Sequence, residues 1–332
     1  MPSMHTPRIN SIQNSTLEKN NSVSIIIVNW NAGKLLSECI EHLSRQTIKP
    51  KTIYVVDNAS TDNSLDNIRN QYSIELIELT ENTGFAKANN IALQKIDTTY
   101  VALLNPDAFP APDWLKNLLE AAERHPEAAS FGSLQLMDTV EPKIDGIGDC
   151  YHISGLAWRE LHNHKYPIEP LLEKEIFSPC AAAALYRMDA LRNVGEFEES
   201  FFCYMEDIDL GFRLRLAGYN SWFVPSAVVT HVGSATSGGK HSDFAVYHGH
   251  RNLVWVFIRN MPTPLLLLFL PVHIMLNIVT LLVFYTRRQY IIGKSKRDAF
   301  FGIHIAFAQR RKIQKNRIAS SWKILSLLRF LK

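Results

Sequence analysis

An α/β fold with a doubly wound, mostly parallel sheet, followed by a C-terminal membrane-associated helical segment, is the architecture this sequence predicts. Three observations predict it: short β-branched runs alternating with stretches of helical spacing, polar residues at the carboxyl ends of those runs, and an apolar stretch at 265–285 followed by a basic tail. At 332 residues and 46% apolar composition the chain has ample material for a packed core, which excludes a disordered protein.

Residues 1–21 are polar and lack the apolar centre of a signal peptide, so a flexible arm is expected there. "VSIIIV" (23–28) reads as a strand and "NWNAG" as a loop. "KLLSECIEHLSRQ" reads as a helix, with apolar residues at 35, 36, 39, 40 and 43. "TIYVVDNASTDNS" repeats the pattern, with a strand at 53–56, a polar loop and a helix containing Leu65 and Ile68. "IELIEL", "GFAKANNIALQKI" and "YVALLN" continue it as strand, helix, strand.

In such a sheet ligands bind beyond the carboxyl ends of the strands. Asn29 and Asn31, Asp57 and Asn58, and Asn105 and Asp107 fall at three of those ends. Any one of them alone could be a loop-capping residue; together they predict a crevice. No GxGxxG follows the first strand and no Walker A sequence occurs, so a dinucleotide fold and a P-loop are excluded. Gly84 in "ENTGFAKANN" is either a turn glycine or the start of a helix whose amides meet a phosphate.

"DWLKNLLEAAERH" is an amphipathic helix opened by Asp113 and closed before Pro126. Residues 131–175 are less regular, and His162 and His164 in "LHNHKYP" read as surface residues rather than metal ligands. The small-residue run 181–184 suits an element lying close against something bulky. In "FFCYMEDIDLGFRLRLAGY" Glu206, Asp207 and Asp209 open a helix with Leu210, Leu214 and Leu216 on its apolar face. Acids there complement the helix dipole, but their flank is too apolar for a surface turn. "SWFVPSAVVTHVGS" reads as a strand ending at His231. Asp107, the 206/207 pair and His231 make a reasonable oxygen-rich divalent metal site completed by one imidazole. The four cysteines are too scattered for a zinc site or a disulfide scaffold, which points to a reducing compartment.

"SIIIVNWN", "VVDNASTDNS", "NTGFAKANN", "LLNPDAF", "FFCYMEDIDLGFRLRLAGY" and "VVTHVGS", in that order, resemble inverting glycosyltransferases of family two with the GT-A fold. The likeness is greatest to the rhamnosyltransferase subgroup and covers about residues 22–260. It implies that Asp57 contacts the base of a nucleotide sugar, with Asn29 and Asn58 near the same end. Asn31, Gly84 and Asn89, within the matched motifs, belong to that nucleotide-sugar side. "LNPDA" stands where the family keeps its DxD metal motif, with Asn105 in place of the first acid. Asp107 and His231 would then hold Mg2+ or Mn2+. The resemblance makes Asp207 the catalytic base, with Glu206 as second choice. Arg251 in "YHGHRN" would lie near the diphosphate, or is simply a positive charge beside the membrane. One displacement with one base gives inversion, and no second nucleophile is in sight.

The net charge of +3 hides a split. Residues 287–332 carry 13 Lys and Arg against one acid, Asp298, while the rest of the chain holds 22 basic and 31 acidic residues. The tail points to an anionic membrane surface, or else is a solvated helix; an acidic body beside an apolar segment argues against nucleic acid. Residues 265–285 are long enough to span a bilayer but contain Pro271, His273 and Asn277, and a buried core helix is the alternative. A single span with a cytosolic body would leave the 13 cations outside, against the positive-inside bias. A kinked re-entrant hairpin or helices lying in the interface are therefore expected, with "WKILSLLRFLK" as an interfacial helix.

The expected organisation is an arm at 1–21, a GT-A domain at 22–260 and a membrane-associated helical region at 261–332. The expected activity is transfer of L-rhamnose from dTDP-L-rhamnose to an undecaprenyl-diphosphate-linked glycan at the cytoplasmic face of the inner membrane, in surface polysaccharide assembly. A UDP-sugar donor is the nearer alternative, and a non-catalytic nucleotide- or glycan-binding membrane subunit the more distant one.

Overall fold

The computed structural model describes residues 22–66, 68, 74–233 and 242–330; the expected N-terminal arm lies outside them. Strands β1 (Val23–Asn29), β2 (Ile53–Asp57), β3 (Ile74–Glu78) and β4 (Tyr100–Leu104) form the parallel half of the sheet, in the order β3-β2-β1-β4. Their side chains alternate between two cores, as strand geometry requires. Ile25, Ile27, Val55 and Leu104 pack on the face covered by helices α1 (Lys34–Ser44) and, beyond β4, α3 (Trp114–Arg124). Ile26, Val56, Val101 and Leu103 pack on the other face, under α2 (Gly84–Leu93). Helices on both faces make the sheet doubly wound, as the alternating pattern predicts. Where a helix was expected around Leu65 and Ile68, the described residues show two turn bonds, the Asp66 amide to the Asn63 carbonyl and the Ile68 amide to the Leu65 carbonyl, and the rest of that stretch lies outside the described residues.

The second half of the sheet carries the site and is mixed. β5 (Ala108–Pro110), β6 (Ala128–Met137), β7 (Ile144–Gly146) and β12 (Asn220–His231) lie together, with β6 and β12 parallel, while β5 pairs antiparallel with β12 and β7 with β6. The less regular region thus hides β7, the small hairpin β8 (Asp149–Tyr151) and β9 (Ala157–Arg159), and the edge strand β10 (Lys174–Glu175). β11 (Ala183–Arg187) runs antiparallel between β4 and β6, and its small residues Ala183 and Ala184 sit beside Leu104 and Leu103. Helices α4 (Met188–Val194) and α5 (Glu206–Leu216) complete the second core.

Helix α5 approaches the chain at Ser178 so closely that a Cβ on Gly211 would lie 2.1 Å from the Ser178 Cβ. Ala is the better helix former by about 1 kcal/mol, yet Gly211→Ala is expected to lose ~1–3 kcal/mol of stability through overpacking. Urea denaturation measures the net sign; a stabilised variant would mean that the two segments part easily.

Five helices follow: α6 (Asp243–Asn260), α7 (Thr263–Thr286), α8 (Ile291–Phe301), α9 (Ile303–Lys315) and α10 (Ser321–Leu327). They share one core with the sheet domain, in which Tyr151, Phe201 and Phe212 pack with Val256, Leu265, Ala306 and Ile324. The boundary expected at 260/261 falls inside that core. Pro271 does not break α7, which is one continuous helix and not the kinked hairpin that was one of the two arrangements expected, the other being helices lying in the interface. α7 runs back along α6: Phe257 stacks on His273 at 4.0 Å, and His250 meets Phe284 at 5.6 Å. The "WKILSLLRFLK" segment is only half interfacial in character, since Ile324 and Leu328 are buried while Trp322 is exposed.

Candidate active site

Strand pairing assembles the centre of the site. In the antiparallel register of β5 and β12, His231 faces Ala108, so Asp107 comes beside the imidazole, its Oδ1 3.3 Å from Nε2. β7, on the other side of β6, brings Asp145 to the opposite edge of the ring, with Oδ2 2.8 Å from Nδ1. His231 is buried, and its Nε2 has no hydrogen-bond partner. Burial lowers the affinity of this imidazole for a proton, but the carboxylates of Asp107 and Asp145 on either side of the ring outweigh it and raise the pKa above the ordinary histidine value. Arg159 ion-pairs with Asp145, and His162 lies 3.2 Å from its other oxygen. His162, expected at the surface, therefore braces the site from behind.

Asp107, Asp145, Arg159 and His231 line one cavity together with Asn58, Gly84, Asn105, Asp149, Glu206 and Asp207, and with the rings of Trp30, Phe85, Trp158, Phe202, Tyr204 and Phe244. Several of these were invisible to sequence reasoning. Asp145, Asp149, Trp158 and Arg159 come from the irregular "KIDGIGDCYHISGLAWR", where only the acids between turn glycines could have served as a signal.

Asp207 and Glu206 are delivered by a strained loop. Phe202, Tyr204 and Met205 all have left-handed φ values of 66–70°, costing on the order of 1–3 kcal/mol each. The loop is held by α6: Asn252 donates to the carbonyls of Phe201, Cys203 and Tyr204, and Arg251 to those of Ser200 and Phe201. Both Asp207 oxygens accept backbone N–H groups, Oδ1 from Ile208 at 2.8 Å and Oδ2 from Ala181 at 3.3 Å. Burial raises the Asp207 pKa, and those amides and Arg159 only partly oppose it. Glu206 is pushed up well above the carboxylate range by burial and by the Asp207 charge, and its Oε2 has no partner. Of the pair, Asp207 is the one built to be ionised.

The remaining expected contacts are distributed differently. Asn29 is fully buried and donates to Asp57, its neighbour across the β1–β2 register, and to Ser60 and Ser64. Asp57 also accepts from the Ser60 amide, and Asn31 accepts from the amides of Thr61 and Asp62. These three knit the first two strand ends together behind the cavity lining. Asn58 reaches the lining but spends its side chain on Asn82, Thr83 and Gly84. Gly84 is there because Phe202 is: a Cβ would lie 2.5 Å from the Phe202 carbonyl oxygen. That same oxygen accepts from the Ala86 amide, so the start of α2 is occupied by protein and is not an open phosphate cradle. Asn89 is buried and bonds back to the Phe85 carbonyl within α2, away from the lining. Arg251, expected beside a diphosphate, is committed to the loop carbonyls and stacks over Trp255 at 4.5 Å.

Among the described residues no group of three or more His, Cys, Asp or Glu side chains converges as a metal cage. Asp107 and His231 nevertheless fit a divalent ion. An orphaned buried Nε2 beside a carboxylate supplies two ligands, and Mg2+ sites in phosphate-handling proteins commonly take one or two protein groups and the rest from phosphate and water.

Comparison with known proteins bears on this geometry. The model of "Glycosyl transferase family 2" matches residues 24–195, just over half of the chain. An N-acetylglucosaminyl-diphospho-decaprenol L-rhamnosyltransferase of Mycobacterium tuberculosis is 29% identical over 248 residues, covering 68% of this chain and 80% of the relative. The O-antigen chain rhamnosyltransferase RfbN of Salmonella typhimurium is 25% identical over 234 residues, covering 68% and 72%. Among solved structures, GalNAc-T7 with UDP, GalNAc and Mn2+ superposes with a TM-score of 0.58 at 16% identity. The match covers 73% of this chain and 48% of that one, a likeness of fold.

Proposed function

We propose that this chain, which belongs to glycosyl transferase family 2 and has the GT-A fold, transfers L-rhamnose from dTDP-L-rhamnose to a lipid-linked, undecaprenyl-diphosphate glycan, with inversion. The observation that carries the reading is the extended similarity to two rhamnosyltransferases, one of which is named for a lipid-diphosphate acceptor. Asp207 is the base: it takes the proton of the acceptor hydroxyl as that oxygen attacks the anomeric carbon, and the nucleoside diphosphate leaves from the opposite face. Asp107 and His231 would hold Mg2+ or Mn2+, which when bound offsets the charge of the leaving diphosphate. Asn58, in the lining, would contact the base, with Asp57 supporting that end from behind, and Asn105 lines the wall beside Asp107. Asp107→Ala is expected to lower kcat at least about a hundredfold, the worth of a few kcal/mol, with little change in Tm. A large loss of folded protein would make Asp107 a structural cap instead.

The membrane reading rests on α7, the one described helix long and apolar enough to cross a bilayer. One side of α7 packs on α6, while Leu267, Leu268, Met275 and Leu282 on the other side are each at least 62% exposed. A helix bound lengthwise to the body suits lying in the interface, at the cytoplasmic face, with Arg287, Arg288 and the later cations on anionic headgroups at about 1 kcal/mol each. Replacing those four apolar residues by Gln should abolish co-sedimentation with anionic vesicles. Equal binding by the variant, or tighter binding to RNA than to vesicles, would refute the assignment.

The decisive assay for function offers the detergent-solubilised protein Mg2+, a lipid-diphosphate-GlcNAc acceptor and either dTDP-rhamnose or UDP-sugars, with products read by mass spectrometry. Gain of one deoxyhexose supports the proposal. Gain from a UDP-sugar overturns the donor alone, and no product from any donor favours a non-catalytic binding subunit.

A further inference from the structure

We propose that Asp145 is the positioning residue of the metal-binding histidine: its carboxylate accepts the Nδ1 proton of His231 and so turns the Nε2 lone pair toward a divalent cation beside Asp107. The inference rests on reading Asp107 and His231 as metal ligands. A neutral imidazole can ligate through only one nitrogen, and the hydrogen bond made by the other decides which one is bare. Here that bond is short, 2.8 Å, and buried, and the opposite nitrogen is the orphaned one. A carboxylate acceptor also makes the imidazole a stronger donor to the metal than a carbonyl would.

Asp145 is itself fixed. It is 5% exposed, ion-paired with Arg159 and approached by His162, so its carboxylate has one available orientation. Its neighbour on β7, Ile144, is fully buried in a separate apolar cluster, so the strand is already anchored without help from a carboxylate. A buried acid in such a place is costly unless its charge is used.

The test titrates Mn2+ alone into the full-length protein, reading free Mn2+ by EPR, and records the imidazole 15N spectrum of histidine-labelled, metal-free protein. At a pH above the raised His231 pKa, wild type should show a proton on Nδ1 and a bare Nε2. Asp145→Asn should mix the two tautomers and weaken Mn2+ binding about 10- to 100-fold. His231→Ala should abolish binding. Should Asp145→Asn fold poorly, Asp145→Glu keeps the charge but moves the carboxylate, and must also weaken Mn2+ binding. Wild-type Mn2+ affinity in both Asp145 variants, with loss in His231→Ala, would overturn the role of Asp145 while leaving the metal site standing. Unchanged affinity in His231→Ala would overturn the metal site itself, and the role of Asp145 with it.

Discussion

Asp207→Asn is expected to lower kcat by about 10²- to 10⁴-fold, the usual worth of a positioned general base, while KM and Tm stay close to wild type. The substitution keeps the size of the side chain and leaves its carbonyl oxygen able to accept the shorter bond, from the Ile208 amide, at the loss of the longer one from Ala181, so the loop has little reason to move. The pH dependence gives an independent check. The base works ionised, and burial places its pKa above the ordinary carboxylate value, so activity should fall as pH drops through that raised pKa. The acid limb should be absent from the residual activity of Asp207→Asn. If Glu206→Gln abolished that limb and Asp207→Asn did not, the two carboxylates would have to exchange roles.

The parallel half of the fold was legible because its signal is local. β1 and β2 are continuous apolar runs, and α1 carries its apolar residues at helical spacing, so period alone assigned them. Asp107, Asp207 and His231 were legible through motif order, and they do share one cavity. Asp145 and Arg159 were not, because β7 and β9 are three residues each and no period can be read over that length. Their placement depends on pairing with distant strands, which local sequence does not encode. The same limit explains Arg251 and Asn89. A motif match gives the residue, but whether its side chain faces the ligand or straps a loop depends on what packs against it, here the carbonyls of Ser200, Phe201 and Phe85.

Two residues beyond the proposed base, Asp209 presents the opposite case, an acid that belongs to the fold. It is fully buried; it accepts from Arg213 Nε at 2.8 Å and Asn260 Nδ2 at 2.7 Å, and Arg259 lies 3.3 Å away and pairs in turn with Glu198. Arg213 also donates to the carbonyls of Val194, Gly195 and Glu196 at the end of α4. One carboxylate thus ties α5 to α4 and α6, the elements that hold the loop before Asp207. Removing it leaves the buried Arg213 without a counter-charge and Arg259 with Glu198 alone, and Asp209→Ala is expected to cost about 3–5 kcal/mol, the penalty for breaking a buried pair from one side. The sign of the pH dependence follows. Burial raises the Asp209 pKa, but Arg259 and Arg213 more than offset it, and the carboxyl sits below its ordinary value. Its stabilisation is therefore complete above the ordinary carboxylate range and is lost as pH falls through the depressed folded value. Urea denaturation of wild type and Asp209→Ala at neutral and acid pH measures both effects: the gap between them should be wide at neutral pH and narrow on acidification. A gap under about 1 kcal/mol at neutral pH would mean that the two arginines find other partners, and that the catalytic loop is anchored by Asn252 and apolar packing alone.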